Sequence, residues 1–109
     1  MQSLKTKQDF DFVYKRGKRI YAKSFLIYVL KNQKQETFLG LSVSKKIGIA
    51  CRRNQIKRRF RAICHLHQNK LQSLSLIIVP KIEILASSFS DLENDFLKCI
   101  NFFSKQQDF

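Results

Sequence analysis

Between Ser44 and Arg61 the chain reads S-K-K-I-G-I-A-C-R-R-N-Q-I-K-R-R-F-R, with eight Lys or Arg in the seventeen residues from 45 to 61 and no carboxylate among them. Lys45 and Lys46 fall at a predicted strand end, Gly48 at a turn, and Arg52, Arg53, Asn54, Lys57, Arg58 and Arg61 on the helix that follows. At 1.5 Å rise per helical residue, this sets a row of phosphate contacts along about 25 Å. Like charges at i and i+4, such as Arg53/Lys57 and Lys57/Arg61, each destabilise an isolated helix by a few tenths of a kcal/mol, about 0.2–0.5. An anionic partner offsets that cost. Asn54 brings a donor and an acceptor that suit a base, a ribose or its own backbone. The competing reading is a solvated helix face, but such faces interleave Glu with Lys and this one does not.

A second set of residues suits unpaired bases. Phe10 and Tyr14 are four apart on a predicted helix and share a face, and Tyr28 comes from a predicted strand. Rings of this kind stack on bases of any sequence, each stack contributing about 1–3 kcal/mol. Residues 38–44 (FLGLSVS) alternate, so Leu39, Leu41 and Val43 point one way and Phe38, Gly40, Ser42 and Ser44 the other. Ser42 and Ser44 would then form a small polar floor that a ligand backbone approaches closely. The aromatic residues could equally be core, and Phe12 is expected there.

Other chemistries find little support. Cys64, His65 and His67 are metal-ligand types, but only Cys64 and His67 share a helix face and no second pair stands at zinc spacing. A buried thiol and an exposed histidine are expected instead. Asp9 and Asp11 lie on different sides of their helix, and the acids form no paired-carboxylate nuclease site. Neither a Walker loop nor a GxGxxG run occurs. Cys51, Cys64 and Cys99 lack CxxC spacing and read as free thiols of a reducing cytoplasm. The first residues show no secretory h-region, and no apolar run approaches membrane-spanning length.

A chain of 109 residues allows one domain over 1–109. Its formal charge of +13 is unevenly spread: 1–36 hold nine cations and three acids, 37–82 ten and none, 83–109 two and five. The carboxylate-free middle favours a polyanion, and nucleic acid over an anionic membrane. Thr6 to Arg16 reads as a helix capped by Thr6 with Asp9 three residues on, and Gly17 as its C′ stop. Residues 20–30 read as a strand broken near Ala22-Lys23, 31–36 as a loop, and 38–44 as a strand. A helix over 48–68 gathers Ile49, Ile56, Phe60 and Ile63 on one stripe, with Arg53 near its edge, projecting from the first turns. Residues 74–79 suit a strand buried on both faces and ended by Pro80. Ser90 with Glu93 reads as the capping box of a last helix whose stripe is Phe89, Leu92, Phe96, Ile100 and Phe103. The order α-β-β-α-β-α, with the first strand split in two, makes an α+β fold: a single α/β sandwich with helices on a mixed sheet, in which 38–44 and 74–79 could run parallel.

The run K-K-x-G-x-A-x-x-R-N-x-x-K-R-x-x-R, carried by Lys45, Lys46, Gly48, Ala50, Arg53, Asn54, Lys57, Arg58 and Arg61, resembles the signature of the bacterial ribonuclease P protein component family. The similarity extends through Asp9-Phe10, Val13-Tyr14, Gly17, Phe25, Tyr28 and Leu39 to Ser44, covering about residues 8–62. Two positions depart from the family pattern: Ile49 stands where Asn is common, and Gln55 where a second Arg is common. The first is expected to alter the helix's opening turn, the second to shift one phosphate contact to Arg52. The resemblance implies a cytoplasmic accessory subunit that cleaves no bond itself. A catalytic RNA with bound Mg²⁺ would remove the 5′ leader of precursor tRNA. Its protein partner would dock on that RNA through the basic helix and hold the single-stranded leader in a cleft between the first helix and the sheet. It also implies a left-handed βαβ crossover, against the usual hand, with neither DNA nor membrane as partner. A ribosomal-type rRNA binder is the competing reading, which has no need of the Phe10/Tyr14/Tyr28 cluster. A helix-turn-helix DNA binder fits less well, since strands flank the basic helix.

Overall fold

The apolar run ending in proline is the middle strand of a five-stranded sheet, which is why both of its faces are buried. The structure, a computed structural model, describes residues 1–107. Its elements are β1 (Gln2–Ser3), α1 (Lys7–Arg16), β2 (Lys18–Tyr21), β3 (Phe25–Lys31), β4 (Phe38–Leu41), α2 (Ala50–Leu66), β5 (Leu74–Pro80) and α3 (Phe89–Gln107). Strands lie in the order β1-β4-β5-β3-β2. β4 runs parallel to β5, with Gly40 opposite Ile77, and α2 makes the crossover between them. β3 is antiparallel to both β5 and β2, so the sheet is mixed and the fold α+β. The expected break in the 20–30 strand is a tight hairpin, closed by the Ala22 N–H donating to the Phe25 carbonyl at 2.9 Å.

Alternation along the strands divides the interior in two. Ile27, Val29, Leu39, Leu76 and Ile78 face α2 and α3, where they meet Ile56, Phe60, Ile63, Leu92, Phe96 and Ile100. Phe25 and Phe60 pack edge-on there, ring centroids 5.2 Å apart. Truncating Phe60 to Ala would cost about 3–5 kcal/mol through lost burial and the cavity left behind. On the other face α1 lays Val13 against β3 and β5, and Val13 and Ile77 are both buried.

Several boundaries differ from the sequence reading. β1 was not expected; it pairs parallel with β4 as an edge strand of two residues, too short for any periodic signal. β4 stops at Leu41, because Ser44 caps a 3₁₀ turn over Lys45–Ile47 by accepting the Lys46 N–H at 3.1 Å. Ile49 does not join the apolar stripe: it is the N-cap of α2 and 71% exposed, while Ile47 takes the buried place. Phe12 is 53% exposed rather than core, being about 200° around the helix from Phe10, and the Arg16 guanidinium lies 5.0 Å from its ring centroid. Gly17 ends α1 in extended backbone; its role is close approach, since a Cβ there would stand 2.6 Å from the Val13 carbonyl oxygen. The last helix is boxed two residues early: Ser88 N–H donates to Asp91 and Asp91 N–H to the Ser88 hydroxyl, both at 3.1 Å. Glu93 instead reaches His67 Nε2 at 2.8 Å, tying α3 to the end of α2.

Candidate nucleic-acid interface

Helix α2 owes its charge display to its packing. Ile56, Phe60, Ile63 and Cys64 hold one face against the sheet, and the opposite arc faces solvent. Arg52, Asn54, Arg58 and Arg61 are exposed there, while Arg53 and Lys57 are half-buried at the flanks. Lys45 and Lys46 are exposed on the 3₁₀ turn that leads into it. Among the described residues the one contact between a basic side chain and a carboxylate is His67–Glu93, so none of these cations is neutralised by a carboxylate. The Arg53 Nε is buried without a hydrogen-bond partner. Arg59 is spent on structure, its guanidinium donating to the Ser87 carbonyl at 3.4 Å.

The three rings converge. Tyr14 meets Tyr28 edge-on, centroids 4.8 Å apart, and Phe10 lies 6.3 Å from Tyr14. All three are half-buried, with part of each ring left to solvent. A capping box holds the first turn of α1 that sets them: the Asp9 N–H donates to the Thr6 hydroxyl at 3.0 Å, and the Thr6 N–H donates to Asp9. The Thr6 side-chain hydroxyl first, and then the Thr6 N–H, stabilise the Asp9 carboxylate and hold its carboxyl below the ordinary range.

The polar floor is partly as expected and partly not. Ser42 continues the face of Gly40, half-buried, with its N–H donating to the Ile78 carbonyl at 3.0 Å. Ser44 lies beyond the strand, exposed, with its hydroxyl engaged in the turn it caps. At Gly40 the floor is not open: a Cβ would sit 2.7 Å from Phe10 Cζ, so the ring itself fills that space. Glycine is needed there to seat Phe10.

Phe10 also brings the two predicted surfaces together. It lines a pocket of about 180 Å³ shared with Gln2 and Ser3 of β1, Gly40, Lys57 and Arg61. The cationic helix and the ring-bearing helix therefore meet along one rim. Sequence reasoning missed the β1 contribution, which carried no signal, and Tyr21, which the inward Ile20 beside it could have flagged as outward. Tyr21 is 62% exposed, with Arg19 and Lys81 each about 5.5 Å from its ring, at 5.4 and 5.7 Å.

Among the described residues no three His, Cys, Asp or Glu side chains converge. Cys64 is buried and pushed up to about 12 by burial, far from a thiolate ligand, and His65 is exposed. No helix among those residues is long and apolar enough to cross a membrane.

A mixed sheet with a ring-bearing helix on one face and an unneutralised cationic helix on the other defines a small basic α+β protein built to meet a polyanion. A sequence model of the family described as Ribonuclease P matches residues 1–103. The ribonuclease P protein component of Helicobacter acinonychis is 36% identical, covering 90% of this chain and 75% of its own. Among solved structures, the RNase P protein of Staphylococcus aureus superposes with a TM-score of 0.82 at 28% identity, covering 94% of both chains. That of Thermotoga maritima gives 0.80 at 25%, covering 90% of this chain and 94% of its own. The chain belongs to the ribonuclease P protein family, and with membership come a role in a ribonuclease P complex, in tRNA processing, and an RNA partner.

Proposed function

We propose that the protein works in the cytoplasm, docking on the catalytic RNA of ribonuclease P through α2 and gripping the 5′ leader of precursor tRNA in the trough beside α1. Lys45, Lys46, Arg52, Arg53, Lys57, Arg58 and Arg61 meet phosphates of the RNA subunit, and Asn54 adds a hydrogen-bonding contact. Counterion release from those phosphates drives the association. Phe10, Tyr14 and Tyr28 stack against unpaired leader bases, with Ser42 beside them on the sheet. Hydrolysis of the phosphodiester belongs to the RNA subunit and the Mg²⁺ it holds, and this chain's part is to bind and orient. Ser44 serves this reading as the cap that aims Lys45 and Lys46.

The observation that carries the reading is the convergence of Tyr14 and Tyr28 at 4.8 Å beside a helix whose cations have no acidic partner among the described residues. A structural rRNA binder would need the helix but not the rings. Reconstitution with a cognate RNA subunit at low Mg²⁺, scoring cleavage of precursor tRNA, tests it. Strong stimulation is expected; no stimulation would favour the rRNA-binding alternative.

A further inference from the structure

At the free edge of the sheet, β2 and α3 enclose a groove of about 520 Å³ that the reading above leaves unused, lined by Lys18, Arg19, Tyr21, Lys98, Cys99 and Phe102. No carboxylate is among its lining residues. Its two rings stand in the open, Tyr21 62% and Phe102 46% exposed, and each already carries a cation: Arg19 at 5.4 Å from Tyr21 and Lys18 at 5.9 Å from Phe102. Rings interleaved with unneutralised cations are the chemistry of a single-stranded nucleic-acid surface, the cations tracking the backbone and the rings taking the bases. The groove also adjoins the trough. Arg19 stands opposite Tyr28 in the β2–β3 ladder and Tyr21 opposite Leu26, so both share the sheet face that bears Tyr28, while Lys18 and Ile20 turn to the α3 face and the groove wraps the edge strand between the two.

We propose that this groove is a second single-strand RNA surface, taking the 5′-distal part of a long leader after it leaves the Phe10/Tyr14/Tyr28 trough. The proposal rests on the leader reading and goes beyond it by making affinity depend on leader length. The holoenzyme, assembled with a cognate RNA subunit, is tested on precursor tRNAs with leaders of about four and about sixteen nucleotides, bracketing common single-strand site sizes. In the Tyr21→Ala/Phe102→Ala double variant, affinity for the long leader should fall about tenfold, with the short leader unaffected. Tyr21→Phe, which keeps the ring, should retain wild-type affinity for both. Both truncated side chains are solvent-exposed, and an unchanged melting temperature confirms that the variant is folded. Equal affinities of variant and wild type for the long leader would overturn the proposal. Competition for the free protein by polyglutamate but not by polyuridine would do the same, assigning the groove to an acidic polypeptide. Phe10→Ala keeps the outcomes apart: it weakens both leaders if the trough reading holds and neither if that reading itself fails.

Discussion

Tyr14 and Tyr28 come from different elements, α1 and β3, yet their rings meet edge-on at 4.8 Å and bridge helix to sheet. Edge-to-face pairs of this kind contribute about 0.5–1.5 kcal/mol beyond their buried area, so the ring that is offered to a base is also held in place by its neighbour. Tyr14→Ala is therefore expected to weaken binding of leader-bearing precursor tRNA by about tenfold, while Tyr14→Phe keeps most of the affinity. Mature tRNA, which lacks a leader, should bind both variants alike. Equilibrium binding by the reconstituted holoenzyme reads all three, and an equal loss for mature tRNA would remove Tyr14 from the leader site.

Phe10 is seated by an absence. With Cζ 2.7 Å and Cε2 2.8 Å from where a Gly40 Cβ would stand, its ring cannot keep its position if that carbon is added. Gly40→Ala should cost about 1–3 kcal/mol of stability by overpacking and should also reduce leader affinity, because Phe10 is pushed out of line with Tyr14. Denaturant unfolding and leader binding, measured on the same preparation, check the coupling. A variant as stable as wild type with intact leader affinity would mean that Phe10 has another seat available.

Lys57 and Arg61 share a pocket with Phe10 and β1, yet their charge serves the RNA subunit in the proposed arrangement. Replacing either with Ala should weaken binding of the RNA subunit and make the plot of log K against log salt less steep by about one for each charge removed. The free protein should melt no earlier, because each substitution also relieves an i, i+4 repulsion along α2. A salt dependence unchanged in both variants would place phosphates elsewhere.

The three thiols should separate cleanly. Cys51 is exposed on α2, whereas Cys64 and Cys99 are buried. Burial pushes the Cys64 thiol up to about 12; burial and then the Asp95 charge push Cys99 up to about 11. Since the thiolate is the reacting form, a colourimetric thiol reagent at neutral pH should titrate one thiol per folded chain promptly and all three in denaturant. Cys51→Ser should abolish the prompt phase; persistence of that phase would show that the α2–α3 interior opens readily.

What was legible in the sequence followed from periodicity and composition. The stripe Ile56, Phe60, Ile63 set the inward face of α2 and thereby the outward cations, and the run 74–79 ended by Pro80 suited a strand buried on both faces. Phe10, Val13 and Tyr14 shared a face because 3.6 residues per turn requires it. Features set by contacts between distant residues stayed hidden. Nothing local announces that Phe10 will fill the space over Gly40, that two residues of β1 will pair with β4, or that His67 will find Glu93. The cap was misplaced for a related reason: Ser90-Glu93 fits the box pattern locally, but Ser88 and Asp91 form the box and Glu93 is drawn to His67 across the fold.

At the start of α2 the chain lacks a device that its position calls for. Ile49 has the extended backbone of an N-cap, φ −68° and ψ 165°, but its side chain caps nothing and is 71% exposed. The N–H groups of Cys51 and Arg52 are the donors that an N-cap side chain normally satisfies. Ile49→Asn supplies an amide oxygen for them and removes no core contact, so it should stabilise the fold by about 1 kcal/mol. For a chain of this size that raises the melting temperature by about 4–8 °C. Ile49→Ala, equally free of core contacts and equally unable to cap, is the control and should melt close to wild type. An Asn variant that melts with the Ala variant would show that the opening N–H groups are already satisfied.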